Sequence, residues 1–392
     1  TMPSPSRSPP TPPAASEWCC VRCTFLNPDD SDSCEVCEAS RPVEVDIDSP
    51  VVVGAALALA SPKRGRRKKE RSASPPPQRF GRKRERDASP DVVELCDSAD
   101  KGPAAKTGNL EICLDKKTFK IMTYNVWFRE DVEVIRRMDA LGDLIQQHSP
   151  DFICFQEITP YIYMLLQKSD WWQQYNCLLS HEKAIQMPYY CMQLSKLPVK
   201  ESDCIPFSNS IMGRELCFTS VITGEMKKLT LATTHLESPC PAPPKWDQMY
   251  SKERVDQAKQ CLEILGRFPN AILCGDMNWD DKGDGPFPLQ DGWTDAWVEL
   301  KPGEDGWTYD TKANGMLSCN RKLQKRMDRF VCKLADFKID SIEMIGKEAI
   351  PGVSYYKEKK IRKESQMVEL PVFPSDHFGL VLTITQKEND SF

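Results

Sequence analysis

A short polar cluster, Gly275-Asp276-Met277-Asn278, follows the apolar run 271–274, which the sequence predicts to be a buried strand. Asp276 and Asn278 are separated by one residue, and on an extended chain that spacing places both side chains on the same face. A carboxylate and a carboxamide so arranged can hold a water molecule, a metal-bound oxygen or a phosphoryl oxygen. Because Gly, Asp and Asn are the usual turn formers, this cluster taken alone is better explained as a strand-to-loop turn.

Four further clusters share the pattern of an apolar run that ends in polar residues. A single Asn, Glu or His in such a position is more often structural than catalytic. Five clusters, each after a strand-like run, instead indicate a site assembled where several strands end. The four are Thr123-Tyr-Asn125, Gln156-Glu157, Thr234-His235-Leu-Glu-Ser238 and Ser375-Asp376-His377.

In their order and residue types, the five clusters resemble the endonuclease/exonuclease/phosphatase family over about residues 118–387. Members of that family are Mg²⁺-dependent phosphodiesterases with an α/β fold, a four-layered α/β sandwich. The resemblance therefore implies this fold and this class of activity. Mg²⁺ keeps several waters and needs few protein ligands, so a single carboxylate can suffice to bind it.

The resemblance and the chemistry of a phosphodiester together suggest a role for each residue. Glu157 is predicted to bind Mg²⁺, and Asn125 to touch the metal or the phosphate. Asp276 is predicted to orient or deprotonate the attacking water, and Asn278 to hold a phosphate oxygen.

His377 is expected to stabilise the charge of the transition state if a neighbouring carboxylate keeps it protonated. Asp328, in the run Arg326-Met-Asp-Arg329, and Asp376 are the candidates for that carboxylate. The sequence leaves open whether Asp276 or His377 is the general base.

Within the family, the likeness is to the branch that removes a trapped topoisomerase tyrosine from a DNA 5′-phosphate. It rests on His235-Leu-Glu-Ser238, Arg254, Gln257, Trp307-Thr-Tyr-Asp-Thr311 and Phe373-Pro-Ser-Asp-His377. This resemblance implies 5′-tyrosyl DNA with a single-stranded 5′ end as the substrate. The expected substrate contacts are His235, Ser238, Arg254 and Arg329, with apolar walls from Trp307, Tyr309, Phe373 and Leu317.

Two other functions remain open. The same metal site could serve an RNA deadenylase or an RNA 5′-end phosphodiesterase. The protein could also be a ubiquitin- or SUMO-binding adaptor with an inactive enzyme domain, although the intact set of site residues argues against inactivity. The metal could be Mn²⁺ instead of Mg²⁺, and a monomer is expected.

Alternating strands and helices from about residue 110 onward would position the clusters. Strands are predicted over 118–126, 151–156, 271–274, 326–333, 337–345 and 378–385, and a hairpin through Gly224 joins 216–222 to 228–234. One helix presents an apolar face made of Val134, Ile135, Met138, Leu141, Leu144 and Ile145. A second covers 251–265 and buries Val255, Ala258, Leu262 and Leu265.

Near the N-terminus, two close cysteine pairs are spaced for tetrahedral Zn²⁺. Cys20, Cys23, Cys34 and Cys37, together with Trp18 and Asn27, resemble a zinc finger of the Ran-binding-protein-2 type. Members of that family bind ubiquitin or single-stranded RNA. The contacts Thr24, Phe25 and Val36, and the acidic residues around them, favour ubiquitin as the partner.

The predicted domains are a disordered segment (1–15), the finger (16–42), a disordered basic linker (43–110) and the catalytic domain (111–388). Residues 61–90 contain twelve Lys and Arg, a local charge of +9 in a chain of net charge −5. This basic composition and the absence of a signal-peptide pattern favour the nucleus, and no membrane association is expected. Val92, Val93 and Leu95 resemble a SUMO-interacting motif.

Overall fold

The computed structural model describes residues 17–19, 26–28, 116–179, 183–184, 187–223, 226–239, 249–318, 322–361 and 364–388, with the backbone alone for 17–19, 26–28, 359–361 and 364–365. Strand β1 (Glu17–Cys19) pairs antiparallel with β2 (Leu26–Pro28). Several predictions fall outside the described residues. These are the zinc ligands Cys20, Cys23, Cys34 and Cys37, the ubiquitin contacts Thr24, Phe25 and Val36, the SUMO contacts Val92, Val93 and Leu95, the basic linker, and the turn at Gly224.

Two six-stranded sheets form the centre of the region from residue 116 onward. The strands of the first are β3 (Thr118–Asn125), β4 (Phe152–Ile158), β5 (Asn176–Cys177), β6 (Tyr190–Ser195), β15 (Phe337–Ile345) and β18 (Gly379–Gln386). They are arranged in the order β15-β18-β3-β4-β6-β5, and only β3 and β4 run parallel.

The strands of the second sheet are β7 (Val199–Pro206), β8 (Glu215–Ile222), β9 (Lys228–His235), β10 (Asn270–Asp276), β11 (Thr294–Asp295) and β14 (Asp328–Leu334). Their order is β11-β14-β10-β9-β8-β7, with β9 and β10 parallel. Two small sheets pair β12 (Tyr309–Asp310) with β13 (Gln324–Lys325) and β16 (Ser354–Ile361) with β17 (Glu364–Pro371).

Helices cover the outer faces of both sheets and complete a four-layered sandwich. Helices α1 (Val134–His148) and α2 (Pro160–Gln167) pack on the first sheet, and α3 (Ser251–Leu265) packs on the second. The short α4 (Ala296–Leu300) contributes to the core between the sheets. The predicted fold class is confirmed. Among the described residues, no helix is long and apolar enough to cross a membrane.

The layers are held together by apolar side chains that alternate across each strand. Phe119, Phe152, Ile272 and Phe330 fill the space between the sheets and are fully buried. Each such side chain stabilises the fold by about 2 kcal/mol through its burial. One expectation for α1 is wrong, because Ile135 is 53% exposed. It lies about 100° around the helix from Val134, outside the stripe that faces the sheet.

The strand directions bring the polar clusters to one edge of the sandwich. The parallel pairs β3/β4 and β9/β10 end there with Asn125, Glu157, His235 and Asp276. The antiparallel neighbour β14 begins at the same edge, where Asp328 lies opposite Asp276. The fifth cluster, Ser375-Asp376-His377, does not end a strand as expected but immediately precedes β18, which runs antiparallel to β3 and so begins at this edge. The topology therefore places five clusters that are distant in sequence around a single point.

Candidate active site

The centre of this edge is a pair of carboxylates joined by one amide. Asn125 Nδ2 donates to Glu157 Oε1 at 3.1 Å and to Asp276 Oδ2 at 2.9 Å. The amide oxygen of Asn125 accepts the Trp127 N–H at 3.0 Å. Asn125 therefore holds the two carboxylates through hydrogen bonds from its nitrogen, while its oxygen accepts a backbone hydrogen bond. The predicted contact of Asn125 with the metal or the phosphate stays a prediction.

Glu157 is fixed by the loop that follows β3. Its Oε2 accepts the backbone N–H of Phe128 at 3.0 Å. The Glu157 backbone has φ +63°, an uncommon conformation for a residue other than Gly and one often found at functional sites. Burial raises the pKa of Glu157 to about 7, with a further contribution from the negative charge of Asp376. A cation bound nearby would stabilise the charged form of this carboxylate, which burial disfavours.

Asp276 is buried but stays charged. Burial is the largest single influence and opposes its charge, but the positive charge of His377 together with hydrogen bonds from the Asn278 N–H and the Asn125 amide keeps the pKa of Asp276 below its ordinary value. Asp276 Oδ1 also accepts the backbone N–H of Asn278 at 2.8 Å. The Asn278 side chain donates from Nδ2 to Leu236 O at 3.0 Å, which uses one of its two N–H groups. The second N–H is the one that could hold a phosphate oxygen.

The carboxylate that pairs with His377 is Asp328. His377 Nδ1 lies 2.8 Å from Asp328 Oδ2, whereas its Nε2 is 3.9 Å from Asp276 Oδ2. Burial opposes the imidazolium, but the charges of Asp328, Asp276 and Asp376 outweigh it and raise the pKa of His377 well above its usual range. Asp376 instead accepts from Ser375 Oγ at 3.3 Å and lines the cleft. Of the two candidates, Asp328 is therefore the one that orients His377.

His235 is neutral and its tautomer follows from its neighbours. Arg214 Nη1 lies 2.9 Å from His235 Nδ1, and because a guanidinium only donates, Nδ1 must accept. The proton therefore sits on Nε2, which faces Asp276 Oδ2 at 3.3 Å. Burial, and after it the positive charge of Arg214, lowers the pKa of His235 to about 3. Nothing in the sequence pointed to Arg214, because it precedes a strand that carries no polar cluster.

A cleft of about 140 Å³ opens onto these groups. The predicted contacts Ser238 and Tyr309 lie on its wall, with the Tyr309 ring edge-on to His377 at 5.2 Å. The sequence reasoning missed several wall residues, including a stacked pair of rings, Phe128 and Tyr189, 5.5 Å apart. Alternation in a strand does not identify such loop residues. The remaining lining residues that were missed are Arg214, Pro239, Leu323, Lys325 and Met327.

Two predicted substrate contacts, Arg254 and Arg329, are corrected by the structure. Arg254 is fully buried and makes a bidentate ion pair with Asp284, at 2.9 and 2.6 Å. Arg329 is 2% exposed and binds Asp295 at 3.1 Å and Asp281 at 2.9 Å. Both guanidinium groups therefore fix loops from inside the protein and do not face the cleft.

The predicted apolar walls are only partly correct. Trp307 is half-buried and does not line the cleft. Phe373 and Leu317 are buried, 6% and 3% exposed, so neither can stack on a base. Phe373 instead packs with Val132 in a small core beneath the loop before β18. Large apolar residues in a domain of this size serve the core more often than the site.

The donor atoms at the centre suit a hard divalent cation. One atom each of Glu157, His235 and Asp276 lies within 4.8 Å of the others. Mg²⁺ prefers carboxylate oxygens and water, and His235 presents an N–H there, so the two carboxylates are the fitting ligands. A cation would also relieve the charge that burial opposes at Glu157. Two carboxylates beside a positively charged His377 form a site able to hydrolyse a phosphate ester.

Comparison with known proteins identifies the class to which this fold and site belong. The sequence model of the endonuclease/exonuclease/phosphatase family matches residues 122–377. The chain therefore belongs to this family, whose enzymes use divalent metal ions, and the assignment made from the polar clusters is confirmed.

The resemblance within the family is confirmed as well. The chain is 27% identical over 284 residues to tyrosyl-DNA phosphodiesterase 2 of Bos taurus, a match that covers 69% of this chain and 68% of that protein. The human protein of the same name is 26% identical over 280 residues, with 68% of each chain covered. Among solved structures, the Danio rerio enzyme complexed with a single-strand DNA product has a TM-score of 0.56 at 24% identity, covering 69% of this chain and all of that one.

Proposed function

We propose that this protein is a Mg²⁺-dependent 5′-tyrosyl-DNA phosphodiesterase that hydrolyses the bond between a topoisomerase tyrosine and a DNA 5′-phosphate. The observation that carries the proposal is the joined set Asn125, Glu157, Asp276 and His377–Asp328 at the base of an aromatic and basic cleft. The curated relatives that cover two thirds of the chain carry the name of this activity.

Glu157 and Asp276 are the residues that hold Mg²⁺ in this proposal. A cation held there would supply positive charge to the phosphate oxygens and so favour attack on the phosphorus. The protein prepares this site through the Asn125 amide and the Phe128 N–H, which keep the two carboxylates apart and in place.

Asp276 and His377 divide the proton chemistry between them. Asp276 is ionised, so it orients the attacking water and can accept its proton. His377 is protonated, so it cannot act as a base and instead donates from Nε2 to the charge that develops on phosphate. The raised pKa of His377 thus supports Asp276 as the base, the choice that the sequence left open.

The cleft walls suit the 5′ end of a DNA strand that carries an aromatic leaving group. Phe128, Tyr189 and Tyr309 offer ring faces and edges for a base or a tyrosine side chain. Arg214 adds positive charge for the phosphate backbone, and Ser238 adds a hydroxyl. Lys325 also lines the cleft, but its charge is paired with Asp280 at 2.9 Å. Stacking of a base on an aromatic ring contributes about 1–3 kcal/mol, enough to select an unpaired end.

The direct test compares cleavage of a 5′-phosphotyrosyl oligonucleotide with cleavage of poly(A) RNA, each with Mg²⁺ and with a chelator. We expect rapid release of tyrosine from the DNA only when Mg²⁺ is present. Faster degradation of the RNA would assign the protein to RNA deadenylation or RNA 5′-end processing on the same site. No turnover of either substrate would favour the adaptor function.

On sequence alone, we also propose a recruiting role for the N-terminal region and a nuclear location. Cys20, Cys23, Cys34 and Cys37 would bind Zn²⁺, and the finger would bind ubiquitin. Replacement of Thr24 and Phe25 should abolish binding of ubiquitin while zinc content is unchanged, because neither is a metal ligand. A finger that binds single-stranded RNA and ignores ubiquitin in a titration would overturn this assignment.

SUMO is the partner proposed for a separate motif, Val92-Val93-Glu94-Leu95, which would add a strand to the sheet of its partner. Its replacement by Ala residues should remove SUMO binding and leave ubiquitin binding intact. Unchanged SUMO affinity in that variant would exclude the motif.

A further inference from the structure

Two cysteine sulfurs that take no part in the proposed reaction lie side by side at one border of the second sheet. Cys204 in β7 and Cys217 in β8 are directly opposite one another in the antiparallel register, and their sulfur atoms are 2.6 Å apart. Strand β7 is the edge strand of this sheet. Cys204 is partly exposed and Cys217 is buried, so reagents in solution reach the pair from the Cys204 side.

The sulfur–sulfur distance distinguishes between two uses of such a pair. The sulfurs of a disulfide are about 2.05 Å apart. Two thiolates on one tetrahedral Zn²⁺, each about 2.3 Å from the metal, are roughly 3.8 Å apart. The observed 2.6 Å is much closer to the first value. In addition, Glu215, which could complete a metal site, holds Lys183 Nζ with both oxygens, at 2.9 and 3.0 Å.

We propose that Cys204 and Cys217 form a reversible disulfide, closed by a peroxide and reopened by a dithiol reductant. The position of the pair agrees with such a bond, because directly opposed residues on neighbouring strands can be joined without moving the backbone far. In a reducing compartment the two thiols remain free until an oxidant appears.

Cys204 is the sulfur that reacts first. It is the exposed member of the pair, and contact with the Cys217 sulfur lowers its pKa while the same contact, with burial, raises the pKa of Cys217. The Cys204 thiolate attacks one oxygen of hydrogen peroxide, the O–O bond breaks, and the products are a sulfenic acid and, after protonation, one water. The Cys217 sulfur then attacks the Cys204 sulfur, the S–O bond breaks, and the thiol proton leaves with hydroxide as a second water. Overall, two thiols lose two electrons and two protons to one peroxide.

The bond would cross-link the hairpin that brings Arg214 to the cleft. The segment between β7 and β8 includes Arg214, which bonds the ring of His235. The loop is otherwise held by Glu237, whose carboxylate accepts the N–H groups of Ile211 and Met212, each at 2.8 Å. The two cysteines are 13 residues apart, so the cross-link closes a loop that includes the whole connection. We therefore expect oxidation to stabilise this hairpin against unfolding.

The test treats the full-length protein with hydrogen peroxide, blocks free thiols with iodoacetamide and maps the peptides without reduction. We expect two peptides joined through Cys204 and Cys217, with a mass equal to the sum of the two reduced peptides less two hydrogen atoms. The melting temperature should rise by roughly 5 °C, as expected for a cross-link that closes a loop of this length. Dithiothreitol should reverse both changes.

Two variants make the result specific. Cys204→Ser should form no cross-link and show no rise in melting temperature, whereas Cys177→Ser, which removes another partly exposed cysteine, should behave like the wild type. Alkylation of both Cys204 and Cys217 after peroxide treatment would overturn the proposal. So would oxidation of Cys204 beyond the sulfenic acid with Cys217 left free, or protection of both thiols only when Zn²⁺ is added.

Discussion

At the scale of single residues, the site depends on donors that hold charges in place before any substrate arrives. The Asn125 amide lies between Glu157 and Asp276 and donates to both. His377 keeps its proton because three carboxylates surround it, and His235 stays neutral because it is buried and Arg214 lies beside it. The two histidines therefore have opposite charge states within one cleft, and this difference sets the division of roles.

The proposed metal role of Glu157 can be tested by removing only its charge. Glu157→Gln keeps the size of the side chain but lacks the negative charge that a hard cation requires, so Mg²⁺ should bind at least ~10-fold more weakly. Calorimetric titration with Mg²⁺ gives the affinity, and added Mg²⁺ should restore part of the activity. Glu299→Gln, at an exposed position, is the control. Unchanged Mg²⁺ affinity in Glu157→Gln would exclude Glu157 as a ligand.

The charge state of His377 predicts the alkaline limb of the pH profile. Its pKa is raised, so the imidazolium and the activity are present at neutral pH and are lost as the pH rises through that pKa. Asp328→Asn removes the nearest negative charge, so the pKa of His377 falls and the limb should move to lower pH. Asp376→Asn should move it less, because Asp376 does not bond the ring. If the alkaline limb of the kcat/KM pH profile moved by the same amount in both variants, the proposed His377–Asp328 pair would be contradicted.

At the scale of elements, the site depends on where strands stop. Strand β10 ends in Asp276 only because Gly275 allows the chain to pass close to β9. Gly275 has φ +129°, and a Cβ at this position would lie 2.2 Å from Thr234 O. Buried ion pairs then fix the loops behind the strands, as Arg254 does with Asp284.

Gly275→Ala should therefore be strongly destabilising, by at least ~2 kcal/mol, since it combines backbone strain with a clash against backbone. Gly292→Ala is the matched control, with φ +81° but open space around its Cβ. It should cost only about 1 kcal/mol, the contribution of the left-handed φ angle alone. Urea unfolding of the two proteins measures the difference. If both variants lost the same free energy of unfolding, the clash with Thr234 would not contribute to the destabilisation.

The comparison with the sequence-based predictions shows which features are local. Apolar runs predicted the strands and α3 well, because alternation and helical spacing depend on nearby residues. Arg254 and Arg329 were predicted to contact the substrate because the sequence does not show that they are ion-paired inside the protein. Their acidic partners lie 30 to 48 residues away along the chain. Phe128 and Tyr189 were missed because only the fold brings two loops together. Residue types at strand ends can thus be predicted, whereas pairings between distant residues cannot.

At the scale of the whole molecule, the proposed catalytic residues all lie between Asn125 and His377. Deletion of residues 1–110 should leave kcat on a short 5′-phosphotyrosyl oligonucleotide within about two-fold of the full chain, since all the proposed catalytic residues are retained and a polar, Ser- and Pro-rich composition is typical of a flexible linker. Steady-state kinetics on both proteins provides the measurement. A much lower kcat in the truncated protein would mean that the N-terminal region contributes to the reaction.

The most direct measurement of the central claim is single-turnover cleavage of 5′-phosphotyrosyl DNA by Asp276→Asn. The substitution conserves shape but removes both the charge that helps to hold Mg²⁺ and the basicity that positions the attacking water. The rate should fall by roughly 10²–10⁴-fold, the usual contribution of a general base, while Asp291→Asn at an exposed position should cleave at the wild-type rate. A thermal melt of each preparation shows that the protein is folded. A folded Asp276→Asn protein that cleaves within a few-fold of the wild type would contradict the mechanism.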